Sequence, residues 1–417
     1  MKKRRNGKLS KALNLAIKVP LAVAVLSTAL HFGNNLYNKI NPSSQREQFE
    51  EHFGFSLNGS RSSIEKNGNL LLRISSVVNY EMQQKPFDVR SITVRPEHVI
   101  FQPFWNQVSY IISGGNEGYF NPITDNISLS YKFGTDNLCH EIKHAKTLDI
   151  IKNNPEFLDE WRALSLDENG NSLYLNIGEQ LCFRVRGLEG ILENKSQEEC
   201  IKDGFITPYA GTNVYEDIAE LCQTAEFFPT SLSDFLEGFE DHNPAIVSKI
   251  KIAEKYGLIP EDFSEFARTD RYFNDNFVES SYHSCYVLRE KIKPAINLWE
   301  NYLNENPDSV YKAKILNNMA LAMKSGIYGD NPLFSIDEVI DKYKEVLNLP
   351  KYPLAIDSYP YTLVSLEIAY SDKGDYEKAK LYRDALREYQ RRYDANDLSI
   401  IKNGVNDFLT ERGENIK

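Results

Sequence analysis

The first half of the chain mixes hydrophobic patterns of helical period with patterns of strand period. Leu70–Met82 has the spacing of an amphipathic helix, whereas Ser91–Val94 and Val108–Ile112 have the composition of short strands. Residues Gly118–Ser130 predict two short strands around a Pro/Asp/Asn turn, since apolar residues alternate with serines in the second half of this segment. The mixture predicts an α+β domain.

From residue 231 onward nearly every segment has helical period. Ala245–Lys255 and Pro260–Ala267 predict helices that complete the first domain. Beyond Asp270 the pattern becomes one of helical hairpins, with Ala313–Lys324 and Ile336–Leu347 as one predicted pair. The second half is therefore expected to be entirely α-helical.

A further predicted hairpin surrounds Gly374–Ala379, which resembles the turn between the two helices of a tetratricopeptide repeat. Repeats of this kind stack into a short solenoid, a platform for a substrate or a protein partner. A plain helical bundle that only braces the first domain fits the same pattern equally well.

The segment Leu138–Ala145 predicts a helix that carries the candidate chemistry. His140 and His144 are four residues apart, so in a helix their imidazoles lie on one face. A hydrolytic zinc site needs three protein ligands and one open position, and these imidazoles supply two of the ligands. Glu141 lies beside the first histidine, where it can act as general base on the attacking water. The alternative is an ordinary surface helix.

A third ligand must come from elsewhere, because residues 145–151 contain no histidine. Two carboxylates are candidates, Glu156 and Glu216. The Glu156 segment has the appearance of a capped surface helix, whereas the residues after Glu216 give its helix an apolar face. Glu220 lies one turn beyond Glu216 and could accept a hydrogen bond from the outer N–H of a ligating histidine. We therefore expect zinc to be held by His140, His144 and Glu216.

The two segments together resemble the gluzincin metallopeptidases, most closely those of the anthrax lethal factor type. The resemblance rests on His140–His144 and on the later pattern Tyr209–Glu220, which reads Tyr-x6-Glu-x-x-Ala-Glu. It implies a zincin-like fold, zinc bound by two histidines and Glu216, and Glu141 as base. It also implies that Tyr209 donates a hydrogen bond to the oxyanion or the leaving group, and that Glu220 orients a ligand histidine.

The resemblance covers roughly residues 120–230 and is specific only at these two segments. The stretch between His144 and Glu216 is long and contains Cys182 and Cys200, so the shape of the substrate cleft stays open. We predict an N-terminal segment over 1–46, a zincin-like metallopeptidase domain over 47–268 and a tetratricopeptide-like helical domain over 269–417.

Charge is distributed unevenly along the chain. The formal net charge is −11, yet residues 1–46 contain nine Lys/Arg and no acidic residue, so the remainder carries −20. A surface this acidic disfavours binding to the phosphate backbone of a nucleic acid. Hydrophobic residues make up 41% of the chain and charged residues 26%, which is typical of a globular protein.

The basic start is followed by an apolar run, Val19–Leu30, of the length used by signal peptides. No clean Ala-x-Ala cleavage site follows, so the run is expected to be either a cleaved signal or an uncleaved membrane anchor. Both place the catalytic domain outside the cytoplasm. A cytosolic amphipathic helix is the alternative.

The five cysteines form no Cys-x-x-Cys pair and indicate no zinc ribbon. Cys182 and Cys200 could pair outside the cell, and Cys139 is expected to pack inward rather than bind metal. His242 and His283 have no metal-ligand spacing to other residues.

The sequence therefore predicts a Zn²⁺-dependent metallopeptidase that acts on a peptide or protein substrate. The alternative is a membrane-tethered helical-repeat interaction protein whose zincin-like domain is not catalytic.

Overall fold

The architecture comes from a computed structural model, which describes residues 44–59, 70–87, 89–94, 118–122, 125–129, 134–175, 196–236, 242–273, 289–327, 331–349, 355–395, 397, 399–400 and 404–414. The first part of this chain combines a small sheet with helices, and every named element after residue 134 in the described ranges is a helix. The helices, α1 to α15 in chain order, are Ser44–Phe53, Leu70–Gln84, Thr135–Asn153, Glu156–Arg162, Gln197–Lys202, Val214–Phe227, Pro229–Ser233, Pro244–Lys255, Phe263–Phe273, Arg289–Glu305, Lys312–Ser325, Ile336–Leu347, Ala355–Lys373, Tyr376–Asp394 and Asn406–Glu411. The predicted order, α+β and then all-α, is confirmed.

The sheet has four strands, β1 Ser56–Gly59, β2 Ser91–Val94, β3 Gly118–Asn121 and β4 Asn126–Leu129, in the order β1-β2-β4-β3. The first three in that order are parallel, and β3 pairs antiparallel with β4 at the edge. The predicted bounds of β2 and the predicted hairpin are confirmed. The strand predicted over Val108–Ile112 lies outside the described residues.

Helix α3 packs on the hairpin and carries the histidine motif. Its residues Leu138, Ile142 and Ala145 are buried in one hydrophobic core with side chains of the sheet and of α2. The helix ends at Asn153, because Pro155 disfavours the helical conformation at the residue before it. The motif is thereby fixed against the antiparallel edge of the sheet.

Helix α6 lies against α3 and carries the second acidic segment. It begins at Val214 because the side chain of Asn213 accepts hydrogen bonds from the backbone N–H groups of Tyr215 and Glu216. The apolar face predicted for this helix is buried, and it includes Ile218 and Ala219.

Most predicted helices agree with the structure to within two residues at each end, but the helix predicted over Pro260–Ala267 is wrong in its bounds. Helix α9 begins three residues later and continues to Phe273. The carbonyl of Pro260 accepts the N–H of Phe263, so residues 260–263 form a turn that precedes the helix. The apolar spacing of the helix continues through this turn, so the sequence pattern does not mark the first residue of the helix.

The C-terminal helices α11 to α14 contact one another in succession. Gly374 connects α13 to α14 with φ of +81°, a left-handed conformation that favours glycine. Asp375 then caps α14 by accepting the N–H of Lys378. The predicted helical hairpin around Gly374 is confirmed.

One hydrophobic core extends from the first half of the described chain into the C-terminal helices. Its members include Phe157 of α4, Ile218 of α6 and Leu363 of α13. The domain boundary predicted at 268/269 falls within α9, and that division stays a prediction.

Candidate metal centre

His140 and His144 present their imidazoles on one face of α3, as the spacing predicts. Their ring centroids are 4.8 Å apart and the rings are nearly perpendicular, at 86°. Their side chains retain 11% and 16% of their accessible surface, so both rings are largely buried but keep some contact with solvent.

Glu216 of α6 completes the cluster. Its Oε2 lies 3.1 Å from Nε2 of His140 and 3.3 Å from Nε2 of His144. Zinc bonds of about 2.0–2.1 Å in a tetrahedron require donor atoms about 3.3–3.4 Å apart. Two neutral nitrogens and one carboxylate oxygen also form the donor set of many catalytic zinc sites. The chemistry of the three side chains therefore suits a zinc ion, and so do the two distances from Glu216 to the histidines.

The competing carboxylate, Glu156, lies elsewhere. It is an exposed residue in the first turn of α4. Glu160, in the same helix, forms an ion pair with Lys255. The structure therefore brings Glu216, and not Glu156, to the two histidines.

Electrostatics couples the three side chains. Burial alone would lower the pKa of His140, but hydrogen bonds to Glu216 and Glu220 raise that pKa well above its usual range. Burial acts against ionisation of Glu216 as well, and the two histidines nevertheless hold its pKa well below the usual range. The carboxylate is thus kept ionised, which is the state that binds a metal.

The outer nitrogen of His140 meets two acceptors from α6. Its Nδ1 lies 3.1 Å from Oε1 of Gln223 and 3.4 Å from Oε1 of Glu220. Two acceptors at Nδ1 favour a proton on that atom, and this leaves Nε2 free to bind a metal. The sequence predicts Glu220 at this position but not Gln223, although residues 216, 220 and 223 share one helix face.

Glu141 is buried beside the cluster, against the edge of the sheet. Burial raises the pKa of its carboxyl group, and the neighbouring histidines oppose that shift. The carboxylate accepts a hydrogen bond from the backbone N–H of Phe120 in β3. The edge strand thus holds the group that the sequence predicts as general base.

Tyr209 lies close to His140. It immediately precedes a short 3₁₀ turn, Ala210–Thr212, and its ring centroid is 6.2 Å from that of His140. The hydroxyl of Thr212 donates to the backbone carbonyl of Tyr209 at 2.6 Å. The structure brings Tyr209 to the histidines, and its catalytic role stays a prediction.

Cys139 of α3 belongs to a second group of potential ligands, together with Glu81 of α2 and Glu226 of α6, and all three are buried. Lys143 lies among them and donates to Glu81, to Glu226 and to the carbonyl of Leu258. Because the ammonium group occupies the position that a cation would take, we assign no metal to this group. Cys139 points into it and away from the histidines, as expected.

This buried cluster was not predicted from the sequence. Lys143 and Lys146 hold the pKa of Glu81 down to about 2, in opposition to burial. Burial and the charge of Glu81 raise the pKa of Glu226 to about 7. Since Glu81 belongs to α2 and Glu226 to α6, the cluster joins α3 to both helices.

The remaining histidines and cysteines named from the sequence are not part of the site or lie outside the described ranges. His242 is exposed, Cys200 is buried, and Cys182 and His283 are outside the described residues. The predicted signal or anchor, Val19–Leu30, is also outside them. Within the described ranges, no helix has the length and apolar character that a membrane crossing requires.

Comparison of the chain with models of known protein families, with curated proteins and with solved structures gave no match.

Proposed function

We propose that the protein is a zinc-dependent peptide hydrolase of the gluzincin type. The observation that carries the proposal is the position of Glu216, one oxygen of which lies 3.1 Å and 3.3 Å from the inner nitrogens of two histidines four residues apart. Glu216 is 72 residues further along the chain than His144. An ordinary surface helix with two histidines would not be expected to meet a carboxylate from a distant helix at this spacing.

Each residue of the site has a role in this reaction. A zinc ion in such a site supplies polarisation of the scissile carbonyl and acidification of a water molecule. Glu141 takes the proton of the attacking water and passes it to the departing amine. Tyr209 donates a hydrogen bond to the carbonyl oxygen as negative charge develops on it. Glu220 and Gln223 hold His140 in the orientation and tautomer that a ligand needs.

The finer fold belongs to the same proposal. The antiparallel edge strand β3 beside α3 supports a zincin-like first half, and the hairpin around Gly374 supports a tetratricopeptide-like second half. In the described sheet, β3 pairs with a strand on one side only. An extended peptide substrate can add to its open side as a further strand.

The decisive experiment compares three variants. Glu216→Ala should lose stoichiometric zinc, measured by elemental analysis of the purified protein, whereas Glu156→Ala should retain it. Glu141→Gln should retain zinc and lose about 10²- to 10⁴-fold in peptidase rate, because only the proton transfer is removed. The proposal fails if the wild-type protein purified with zinc present binds none. The assignment of the third ligand fails if Glu156→Ala, and not Glu216→Ala, loses the metal.

A second candidate function is that of a tethered interaction protein with a non-catalytic zincin-like domain. One observation favours it. Tyr361, Val364 and Ile368 follow one face of α13 at helical spacing, and their side chains are exposed by 74%, 37% and 42%. Apolar side chains gathered on an open helix face suit a protein partner. This candidate would be favoured if the wild-type protein binds zinc but has no peptidase activity, and if Glu141→Gln leaves zinc binding unchanged.

We also propose that residues 1–46 place the catalytic domain outside the cytoplasm, as a membrane-anchored or secreted protein. The nine basic residues and the apolar run Val19–Leu30 support this placement. Digestion of the protein by protease added to intact cells would test it, and complete protection would contradict it.

A further inference from the structure

Thr207 joins the loop that carries Tyr209 to the side chain that orients His140. Its hydroxyl donates a hydrogen bond to Oε2 of Glu220 at 2.9 Å and accepts the backbone N–H of Ala210 at 3.1 Å. The other oxygen of Glu220 lies 3.4 Å from Nδ1 of His140. One carboxylate therefore contacts the loop with one oxygen and the histidine with the other.

We infer that Thr207 is a positioning residue that couples occupation of the metal site to the conformation of the 207–212 loop. The inference rests on the proposed function, since it concerns the same metal site. Its physical basis is that a hydroxyl can donate one hydrogen bond and accept another at the same time. The hydrogen bond from Thr207 restricts the orientations of the Glu220 side chain. The bond that Thr207 accepts from Ala210 restricts the conformation of the loop at the same time.

The coupling runs in both directions. A metal that binds His140 fixes the ring, and the fixed ring orders Glu220, Thr207 and the loop. By linkage, a loop already fixed by Thr207 raises the affinity of the site for the metal by the same factor. Tyr209 lies between Thr207 and Ala210, so the coupling reaches the residue proposed to contact the substrate carbonyl.

Substitutions at Thr207 distinguish the effect of the hydroxyl group from the effect of the shape of the side chain. Thr207→Val keeps the branched shape and removes both hydrogen bonds, whereas Thr207→Ser keeps the hydroxyl. Thr212→Val is the matched control, because it removes a loop hydroxyl that bonds the carbonyl of Tyr209 and not Glu220. Melting curves of the variants establish that each full-length chain is folded.

Two measurements test the inference on these proteins. The first is the zinc dissociation constant from competition with a chelator, and the second is amide hydrogen exchange of residues 206–212 with and without zinc. We expect Thr207→Val to weaken zinc binding about tenfold and to abolish the slowing of exchange that zinc causes in the wild type. Thr207→Ser should behave as the wild type, and Thr212→Val should bind zinc within about twofold of it.

The outcomes distinguish this inference from the proposed function. Zinc binding that stays within about twofold in Thr207→Val, or that weakens equally in Thr212→Val, overturns the role of Thr207 and leaves the zinc site intact. If Thr207→Val does not fold, Thr207→Ser decides, since a tenfold loss of zinc affinity in that variant contradicts the hydroxyl's role. A wild-type protein that binds no zinc ends the proposed function itself.

Discussion

Gln223 offers His140 a neutral hydrogen-bond acceptor, in addition to the charged acceptor Glu220. Its Oε1 is 3.1 Å from Nδ1 of His140, closer than the 3.4 Å of Glu220. A neutral acceptor fixes the ring with less desolvation cost than a second carboxylate would. Because Gln223 also contacts His140, one oxygen of Glu220 is available to accept the hydrogen bond from Thr207.

We therefore expect Gln223→Leu to weaken zinc binding about tenfold, the lower end of the range for such supporting residues, because Glu220 remains. Gln223→Glu keeps an acceptor at this position and should lose less. Chelator competition measures both dissociation constants. Equal affinities in the wild type and Gln223→Leu would mean that Glu220 alone orients His140.

The residues of the site differ in how far the sequence could predict them. His140 and His144 are four residues apart on one helix, so local spacing is sufficient to predict that they share a face. The apolar face of its helix favours Glu216 over Glu156, and the structure brings Glu216 close to both histidines. Thr207 was not found, because its role depends on a loop conformation that no periodic pattern encodes.

At the scale of elements, the relative position of α3 and α6 decides whether three ligands meet. Lys143 joins α3 to α6 through Glu226, to α2 through Glu81, and also donates to the carbonyl of Leu258. All three charged side chains are fully buried or nearly so. Removal of the lysine takes away the ion pair of Glu226 and leaves Glu81 with Lys146 as its remaining charged partner.

We expect Lys143→Met to lower the free energy of unfolding by about 3–5 kcal/mol, the usual cost of breaking a buried ion pair from one side. Urea denaturation of the metal-free protein measures the change. Lys152→Met on the same helix is the control, because Lys152 is 67% exposed and its loss should cost no more than about 0.5 kcal/mol. A loss below about 1 kcal/mol for Lys143→Met would contradict the role of the cluster.

Helices and strands were predictable where their period is local, as the bounds of β2 and α12 illustrate. The buried face formed by Cys139, Lys143 and Lys146 was not predictable, since hydropathy assigns lysine to the surface. The positive charge of the buried lysines is compensated by Glu81 and Glu226, which lie 62 and 83 residues away from Lys143 along the chain. Such a cluster exists only once the tertiary packing is known.

At the scale of the molecule, the helical second half shares a core with the half that carries the site. The ring of Tyr311 stacks on Phe266 with centroids 3.6 Å apart, and the hydroxyl of Tyr302 donates to Asp262. Tyr311 is only 1% exposed. Contacts of this kind favour cooperative unfolding of the two halves, in contrast to two domains joined by a linker.

We therefore expect one thermal transition, with the loss of helical circular dichroism and the release of bound zinc sharing a midpoint. Tyr311→Ala should move both signals together to lower temperature, because it removes about 3–5 kcal/mol of aromatic packing at the junction. Tyr361→Ala, at a 74% exposed aromatic on α13, is the control and should leave the midpoint nearly unchanged. Zinc release well before or after the loss of helix would mean that the halves unfold independently, and that the helical half does not brace the metal site.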